Sequence, residues 1–214
     1  MSVHVLDKKL WFPPVEESME DGLLAMGGDL SVERLLLAYK HGIFPWYEGD
    51  TPLWWSPDPR FVLFPQKINI SKSMALLLKK NHFTFTINRS FREVISNCKS
   101  LQRKGQAGTW ITDELEKSVI ELHQLGFAHS AEAWLDNRLV GGLYGIRMGK
   151  LFFGESMFSL ESNASKFAFI RYTEELQKQS VYLIDCQVYT EHLESLGAEM
   201  IARTEFQQVL KTYG

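Results

Sequence analysis

Residues 129–158, HSAEAWLDNRLVGGLYGIRMGKLFFGESMF, decide the fold of this chain. They contain three apolar runs, at 129–135, 139–146 and 151–158, separated by the turn-forming sequences Asp-Asn-Arg and Gly-Lys. Short runs rich in aliphatic and aromatic residues and divided by turn signals are typical of consecutive antiparallel strands. The stretch therefore predicts a three-stranded meander.

The elements after the meander set the fold class. Residues 164–179 have the pattern of a helix, and residues 181–188, VYLIDCQV, have that of one more strand. Three meandering strands, a helix and a further strand indicate an α+β fold. This order is similar to that of the acetyltransferase-like (GNAT-like) fold, a mixed sheet with flanking helices.

The residues before the meander predict a smaller domain. Residues 31–40 have the pattern of a helix with Ser31 as its N-cap, and four prolines between 44 and 60 prevent a long regular element there. We place a small N-terminal domain at 1–62 and the acetyltransferase-like catalytic domain at 63–214. Further predicted elements are helices at 70–80 and 113–124 and a strand at 83–87.

Composition indicates an ordinary globular protein. The chain has 214 residues, of which 45% are hydrophobic and 23% are charged. The first residues lack the apolar run of a signal peptide, and no later run is long enough to span a membrane. The two cysteines, Cys98 and Cys186, form no disulfide framework. We therefore expect a cytoplasmic protein.

Charge is distributed unevenly along the chain. Residues 66–104 carry a net charge of +8, although the whole chain carries −3. Lys72, Lys79 and Lys80 are spaced so that their side chains share one face of a helix. A basic face of this kind either binds a polyanion or is simply exposed to solvent, and charge alone does not separate these alternatives.

Asp185 and Gln187 are the leading candidates for chemistry. Strand alternation places them on one face, among apolar neighbours that suggest burial. A buried unpaired carboxylate costs several kcal/mol, so Asp185 needs a partner, and Gln187 is within plausible reach. The pair is interpreted either as a catalytic or binding site, or as a structural hydrogen-bond network or an exposed edge strand.

Other features are weaker. Glu155 is a second carboxylate in an aromatic strand, and Gly141-Gly142 marks either a bulge or a close approach of a ligand. Trp110 precedes a predicted helix and can stack on an unpaired base, whereas most of the tryptophans are expected in the core.

Several chemistries are disfavoured. The histidines show no metal-ligand spacing, and no phosphate-binding glycine loop follows a suitable strand. An acetyl-coenzyme A enzyme needs a glycine-rich turn before the helix after the meander, whereas residues 159–166, SLESNASK, contain no glycine. We therefore expect neither a metal nor a coenzyme.

Eight sequence blocks, in order and at compatible spacing from about residue 12 to 206, resemble the leucyl/phenylalanyl-tRNA–protein transferase family. The blocks are MGGDLS (26–31), GIFPW (42–46), LWWSPDPR (53–60), GTWIT (108–112), VGGLYG (140–145), FGESMFS (153–159), NASK (163–166) and LIDCQ (183–187).

This resemblance implies a reaction and its partners. The enzyme would move Leu or Phe, and Met less well, from aminoacyl-tRNA to the α-amine of proteins that begin with Arg or Lys. The product would be marked for degradation by the N-degron (N-end rule) pathway. The resemblance implies no metal and no coenzyme.

The resemblance also implies residue roles. Asp185 and Gln187 match the reacting centre, where Asp185 would polarise Gln187 and the Gln187 carbonyl would receive a proton from the attacking amine. Alternatively, Asp185 and Glu155 form an acidic seat for the acceptor's cation. The other matched positions fall into three groups: a donor side-chain pocket (Leu143, Phe152, Met157, Ser159, Ile184), a terminal-adenosine site (Tyr39, Trp46, Trp110) and a basic helix for the tRNA backbone (Lys72, Lys79, Lys80).

Two other functional classes remain open from the sequence. An acyl-coenzyme A N-acyltransferase on a similar fold is disfavoured by the missing glycine turn. A non-catalytic tRNA-binding module would leave the polar residues Asp185, Gln187 and Glu155 without a chemical role.

Overall fold

The structure is a computed structural model that describes residues 2–100 and 111–214. In this part of the chain the strands form two sheets. The smaller sheet has four strands in the order β1-β2-β4-β3. These strands are β1 (His4–Leu6), β2 (Leu23–Gly27), β3 (Phe44–Pro45) and β4 (Leu53–Trp55).

The larger sheet has seven strands in the order β11-β5-β10-β9-β8-β7-β6. Its β10 and β9 are parallel, and every other neighbouring pair is antiparallel. Its strands are β5 (Arg60–Leu63), β6 (Thr84–Ile87), β7 (Ala128–Leu135), β8 (Arg138–Met148), β9 (Leu151–Ser159), β10 (Leu183–Gln187) and β11 (Glu199–Ile201).

Seven α-helices pack on the sheets within the described residues. None of them is long and apolar enough to cross a membrane. They are α1 (Val32–Lys40), α2 (Lys72–Lys79), α3 (Phe91–Ser100), α4 (Asp113–Gln124), α5 (Ala164–Lys178), α6 (Glu191–Glu194) and α7 (Arg203–Tyr213).

This architecture confirms the predicted α+β class. The meander β7-β8-β9 is followed by α5, and α5 leads to β10, which pairs in parallel with β9. The parallel β9–β10 pair places the middle of the meander's last strand beside Asp185, since Phe153 is the register partner of that residue. Asp185 is thus held beside the strand that carries Glu155.

Local signals account for the helix boundaries. The side chain of Ser31 accepts a hydrogen bond from the backbone N–H of Arg34 at 3.4 Å, and Thr112 caps α4 in the same way. The helix predicted at 113–124 has these bounds in the structure. The strand predicted at 181–188 is shorter, because the backbone N–H of Val181 donates to Leu176 and closes the end of α5.

The predicted domain boundary between residues 62 and 63 lies inside β5, which pairs with β10 and β11. Residues of the small sheet and of the large sheet also share one apolar cluster. Within it, the ring of Tyr39 in α1 lies 5.2 Å from that of Phe153 in β9. The N-terminal segment therefore contributes directly to packing beneath the larger sheet.

Gly141 in β8 is a site of close packing between strand and helix. A Cβ atom there would lie 2.6 Å from the Cβ of Ala164 and 2.9 Å from the backbone nitrogen of Ser165. Of the two explanations considered for Gly141-Gly142, approach of a ligand is not needed at Gly141, because α5 occupies the space. The glycine lets the first turn of α5 lie directly against the sheet.

Gly141→Ala is expected to lower the free energy of unfolding by about 1–3 kcal/mol, because the added methyl overpacks a contact with helix backbone. Urea denaturation measures the change. Gly154→Ala is the matched control, since its Cβ would meet only the backbone oxygen of Asp185, at 3.5 Å. Equal stabilities of the two variants would contradict this account of Gly141.

Candidate active site

The carboxyl end of β10 has an unusual backbone. Gln187 has a φ of +66°, and the N–H of Val188 donates to the carbonyl of Cys186 at 2.8 Å. A three-residue hydrogen bond around a residue of positive φ is a rare and strained γ-turn. The ladder to β5 also shifts register between Asp185 and Gln187. Strict strand alternation, which predicted a shared face for these two side chains, therefore stops before Gln187.

The partner of Asp185 is Arg60. The Arg60 Nε and Nη2 atoms donate to the two carboxylate oxygens of Asp185 at 2.8 and 2.7 Å. The side chains are 1% and 0% exposed, so this is a wholly buried, two-pronged ion pair. The expectation that the Gln187 side chain would pair with Asp185 is thus wrong, because a guanidinium satisfies the buried charge more completely.

Gln187 contacts Asp185 through its backbone instead. Its main-chain N–H donates to Asp185 Oδ1 at 3.0 Å, while its side-chain Nε2 donates to Glu155 Oε1 at 2.8 Å. No described residue donates a hydrogen bond to Gln187 Oε1 in the structure. The side chain therefore has a fixed orientation and one acceptor atom available to a ligand.

Glu155 is buried, and its carboxyl forms no ion pair with any residue that the structure describes. Burial raises the pKa of Glu155 to about 7, with the charge of Asp185 adding to the effect. Neighbouring Tyr39, Gln187 and Arg60 oppose this rise only in part. A carboxyl with a pKa near neutrality in a cavity wall is a candidate functional group.

Tyr39 lies beneath the site and is fully buried. Its hydroxyl lies beside Glu155, where it opposes the rise in that group's pKa without reaching good hydrogen-bonding geometry. Its ring packs on Phe153. Tyr39 was predicted at the terminal-adenosine site, and in this structure its side chain is 0% exposed.

A cavity of about 610 Å³ opens over these polar groups. Four of the five residues predicted for the donor pocket line it, namely Leu143, Met157, Ser159 and Ile184. Phe152 does not, because its side chain is fully buried and packs edge-on against Tyr172 at 5.0 Å. Phe169 of α5 lines the cavity and was not predicted.

Part of the cavity wall comes from the N-terminal region and is aromatic. Trp46 lines it and is 38% exposed, and its ring lies 5.7 Å from that of Trp55. Trp110, the other tryptophan expected at a terminal adenosine, lies outside the described residues. Trp54 is fully buried and donates to the carbonyl of Gly27, as expected of a core tryptophan.

The predicted basic helix is present as α2 and its C-cap. Lys72, Lys79 and Lys80 are exposed, and none of them forms an ion pair with a described residue. By contrast, Lys67 pairs with Glu199 and Lys99 pairs with Asp113 and Glu116. Lys72, Lys79 and Lys80, which were predicted to share one face, therefore remain available to bind an anion.

In residues 2–100 and 111–214, no group of three or more His, Cys, Asp or Glu side chains is arranged to hold a metal ion.

The sequence of the chain is similar to those of one family of known enzymes. A family model described as leucyl/phenylalanyl-tRNA protein transferase matches residues 62–211, and a model for the N-terminal domain of that family matches 28–58. The chain is 56% identical over 211 residues to leucyl/phenylalanyl-tRNA–protein transferase of Flavobacterium johnsoniae, covering 98% of this chain and 100% of the relative. The enzyme of the same name from Syntrophus aciditrophicus is 54% identical over 212 residues, covering 99% and 89%.

Solved structures give more distant likenesses. A conserved protein of unknown function from Staphylococcus epidermidis matches with a TM-score of 0.47 at 9% identity, over 84% of this chain and 68% of that one. A GCN5-related N-acetyltransferase from Kribbella flavida matches with a TM-score of 0.41 at 10% identity, over 78% and 60%.

Glu155→Gln is expected to change how stability depends on pH. The wild-type carboxyl has a folded pKa of about 7 against an ordinary value of 4.5, so only the folded state keeps its proton between these values. Its contribution to stability is therefore present below pH 4.5 and is lost as pH rises to about 7, a change of about 3 kcal/mol. The glutamine variant should lack this loss.

Urea denaturation of both proteins between pH 4.5 and 7.5 measures the difference in unfolding free energy. Glu155→Gln should gain relative to wild type as pH rises. Glu114→Gln removes an exposed carboxyl of α4 and serves as the control. If the unfolding free energies of wild type and Glu155→Gln change in parallel across this pH range, Glu155 is ionised throughout and its pKa is not raised.

Proposed function

The chain belongs to the leucyl/phenylalanyl-tRNA–protein transferase family, and we propose that it transfers Leu or Phe, and Met less well, to proteins that begin with Arg or Lys. As a member of this family it is an aminoacyltransferase acting between aminoacyl-tRNA and a protein. We further propose that the product enters the N-degron pathway and that the reaction takes place in the cytoplasm.

The proposal rests mainly on one observation: the polar residues Glu155, Asp185 and Gln187 lie together at the floor of a mainly apolar cavity. Gln187 and Glu155 are hydrogen-bonded at its floor, and Asp185 holds the backbone of Gln187 from below. An acyl transfer to an amine needs little more from a protein than orientation of the two reactants and an acceptor for the amine proton.

The apolar part of the cavity suits the donor side chain. Leu143, Ile184, Met157 and Phe169 provide a flexible and mainly hydrocarbon surface. A methionine sulfur adapts to both aliphatic and aromatic shapes, which fits a preference that includes Leu, Phe and Met. Ser159 lies at the same wall. We assign to the shape of this wall the exclusion of the β-branched side chains of Ile and Val.

Gln187 is assigned to the reacting atoms. The acceptor's α-amine attacks the ester carbonyl of the donor, an amide bond forms, and the bond to the ribose oxygen breaks. Gln187 Oε1 accepts a hydrogen bond from the attacking amine, and the proton finally moves to the departing ribose oxygen. Asp185 acts on this step indirectly, because its Oδ1 accepts a hydrogen bond of 3.0 Å from the backbone N–H of Gln187.

Glu155 is assigned to the seat for the acceptor's cationic side chain. Asp185 already has both oxygens bound by Arg60, so its charge is neutralised locally. Within residues 2–100 and 111–214, Glu155 accepts from the neutral Gln187 amide and pairs with no cation, and it lines the cavity. A guanidinium or ammonium group arriving there would favour the ionised form of Glu155.

The tRNA is proposed to bind through stacking and phosphate contacts. Trp46 lies at the cavity and Trp110 is assigned with it to the terminal adenosine. Lys72, Lys79 and Lys80 are assigned to backbone phosphates, which position an RNA without reading its sequence.

Incubation of the protein with labelled Phe-tRNA and an Arg-initiated peptide tests the function directly. Transfer of the label to the peptide is expected, with little transfer from Val-tRNA or Ile-tRNA and little to an Ala-initiated peptide. Binding of the same tRNA, measured alongside, should weaken steeply with added salt. Absence of transfer from Phe-tRNA under conditions where it binds would refute the proposed reaction.

Steady-state kinetics of two variants separate the roles of the carboxylates. Glu155→Gln should raise KM for the Arg-initiated peptide with a smaller effect on kcat, because it removes the seat's charge. Asp185→Asn should lower kcat with little change in that KM, because it loosens Gln187. The opposite pattern, with Asp185→Asn acting mainly on peptide KM, would identify Asp185 as the seat.

A further inference from the structure

We propose that Arg60 is a positioning residue for the transfer reaction, acting through Asp185 on the backbone of Gln187. This inference rests on the proposed role of Gln187 at the reacting atoms. Arg60 lines no part of the cavity described above and is buried, so it acts without touching either substrate.

The side chain of Arg60 is held on every side. Its Nε and Nη2 atoms bind Asp185, and Nη1 donates to the carbonyl of Gly42 at 3.1 Å. The rings of Phe44 and Phe206 each lie 4.7 Å from the guanidinium carbon. Stacking on aromatic faces together with a two-pronged carboxylate contact is a geometry that suits a guanidinium and not an ammonium.

The contacts of Arg60 with Asp185, Gly42, Phe44 and Phe206, called the Arg60 clamp below, hold the strained turn at Gln187 in place. Asp185 Oδ1 accepts both from Arg60 Nε and from the backbone N–H of Gln187. A positive φ at a non-glycine residue is unfavourable and persists only when its surroundings hold it. Because Arg60 fixes both carboxylate oxygens, Asp185 cannot rotate away from that N–H, and the Gln187 side chain stays directed at Glu155.

The Arg60 clamp also brings together segments that are far apart in the sequence. Gly42 and Phe44 belong to the N-terminal region, and Phe206 to α7 near the C-terminus. A Cβ at Gly42 would lie 2.9 Å from the Phe206 ring, so these two segments are in close contact at Arg60. The position of Gln187 thus depends on packing between the N-terminal region and α7 as well as on the strands that carry the site.

The test compares four variants with wild type: Arg60→Met, Arg60→Lys, Asp185→Asn and the double variant Arg60→Met/Asp185→Asn. Arg34→Met is the matched control, because Arg34 is equally buried and pairs with Asp29 in the small domain. For each protein, Tm is measured, together with kcat per folded molecule and the KM values for Phe-tRNA and an Arg-initiated peptide.

Arg60→Met should lower kcat by about 10²-fold through misplacement of Gln187, with KM for Phe-tRNA little changed. Arg60→Lys keeps the charge but loses the fork, so its kcat should lie between wild type and Arg60→Met. The double variant removes both buried charges, so its Tm should recover relative to either single variant while kcat stays low. Arg34→Met should lower Tm without lowering kcat per folded molecule.

Recovery of kcat together with Tm in the double variant would overturn the inference, because the ion pair would then serve stability alone. A wild-type kcat in Arg60→Met would overturn it as well. Should Arg60→Met fail to fold, Arg60→Lys and the double variant decide between the same outcomes. Lack of transfer by the wild type would refute the proposed reaction, a result distinct from any difference among active variants.

Discussion

The Arg60–Asp185 ion pair is the interaction on which the rest of the site depends. Removing two charges from water is costly, and their attraction offsets this cost only where geometry and further hydrogen bonds are good. Here the guanidinium makes three hydrogen bonds and lies between two rings, while the carboxylate also accepts a backbone N–H. The pair joins β5 to β10. The contacts around Arg60 also bring Gly42 and Phe44 of the N-terminal region and Phe206 of α7 to the same point.

Two carboxylates at the floor of the cavity have different environments, and this difference distinguishes the roles proposed for them. Asp185 faces a cation, whereas the described neighbours that contact the Glu155 carboxyl are the neutral Gln187 amide and Tyr39 phenol. Burial consequently raises the pKa of Glu155 to about 7, so near neutral pH its carboxyl is divided between protonated and ionised forms. A cationic acceptor would draw this group to its ionised form. On the proposed function, acceptor binding is therefore coupled to loss of the proton from the protonated fraction of Glu155.

Sequence patterns predicted the regular elements well, because those patterns are local. Turn signals and periodicity were enough for the β7-β8-β9 meander and for helix α4, whose bounds agree with the structure. The assignment of Leu143 and Ile184 to a pocket came from the family resemblance and not from these patterns. The resemblance assigned Phe152 to the pocket as well, but in this structure its side chain is buried behind the cavity wall against Tyr172, a packing arrangement that strand alternation alone does not reveal.

The polar geometry of the site was beyond local reasoning for a different reason. The rule that a buried carboxylate needs a partner correctly required one for Asp185, but the nearest polar residue in sequence was not that partner. Arg60 lies 125 positions away and reaches Asp185 only because β5 pairs antiparallel with β10. Likewise, no propensity predicts a positive φ at a glutamine, since an isolated chain would avoid it. The conformation exists because tertiary contacts fix the Asp185 carboxylate, and this carboxylate accepts a hydrogen bond from the Gln187 N–H. The orientation of the Gln187 side chain, which the proposed function places at the substrate, therefore cannot be predicted from the residues next to it in sequence.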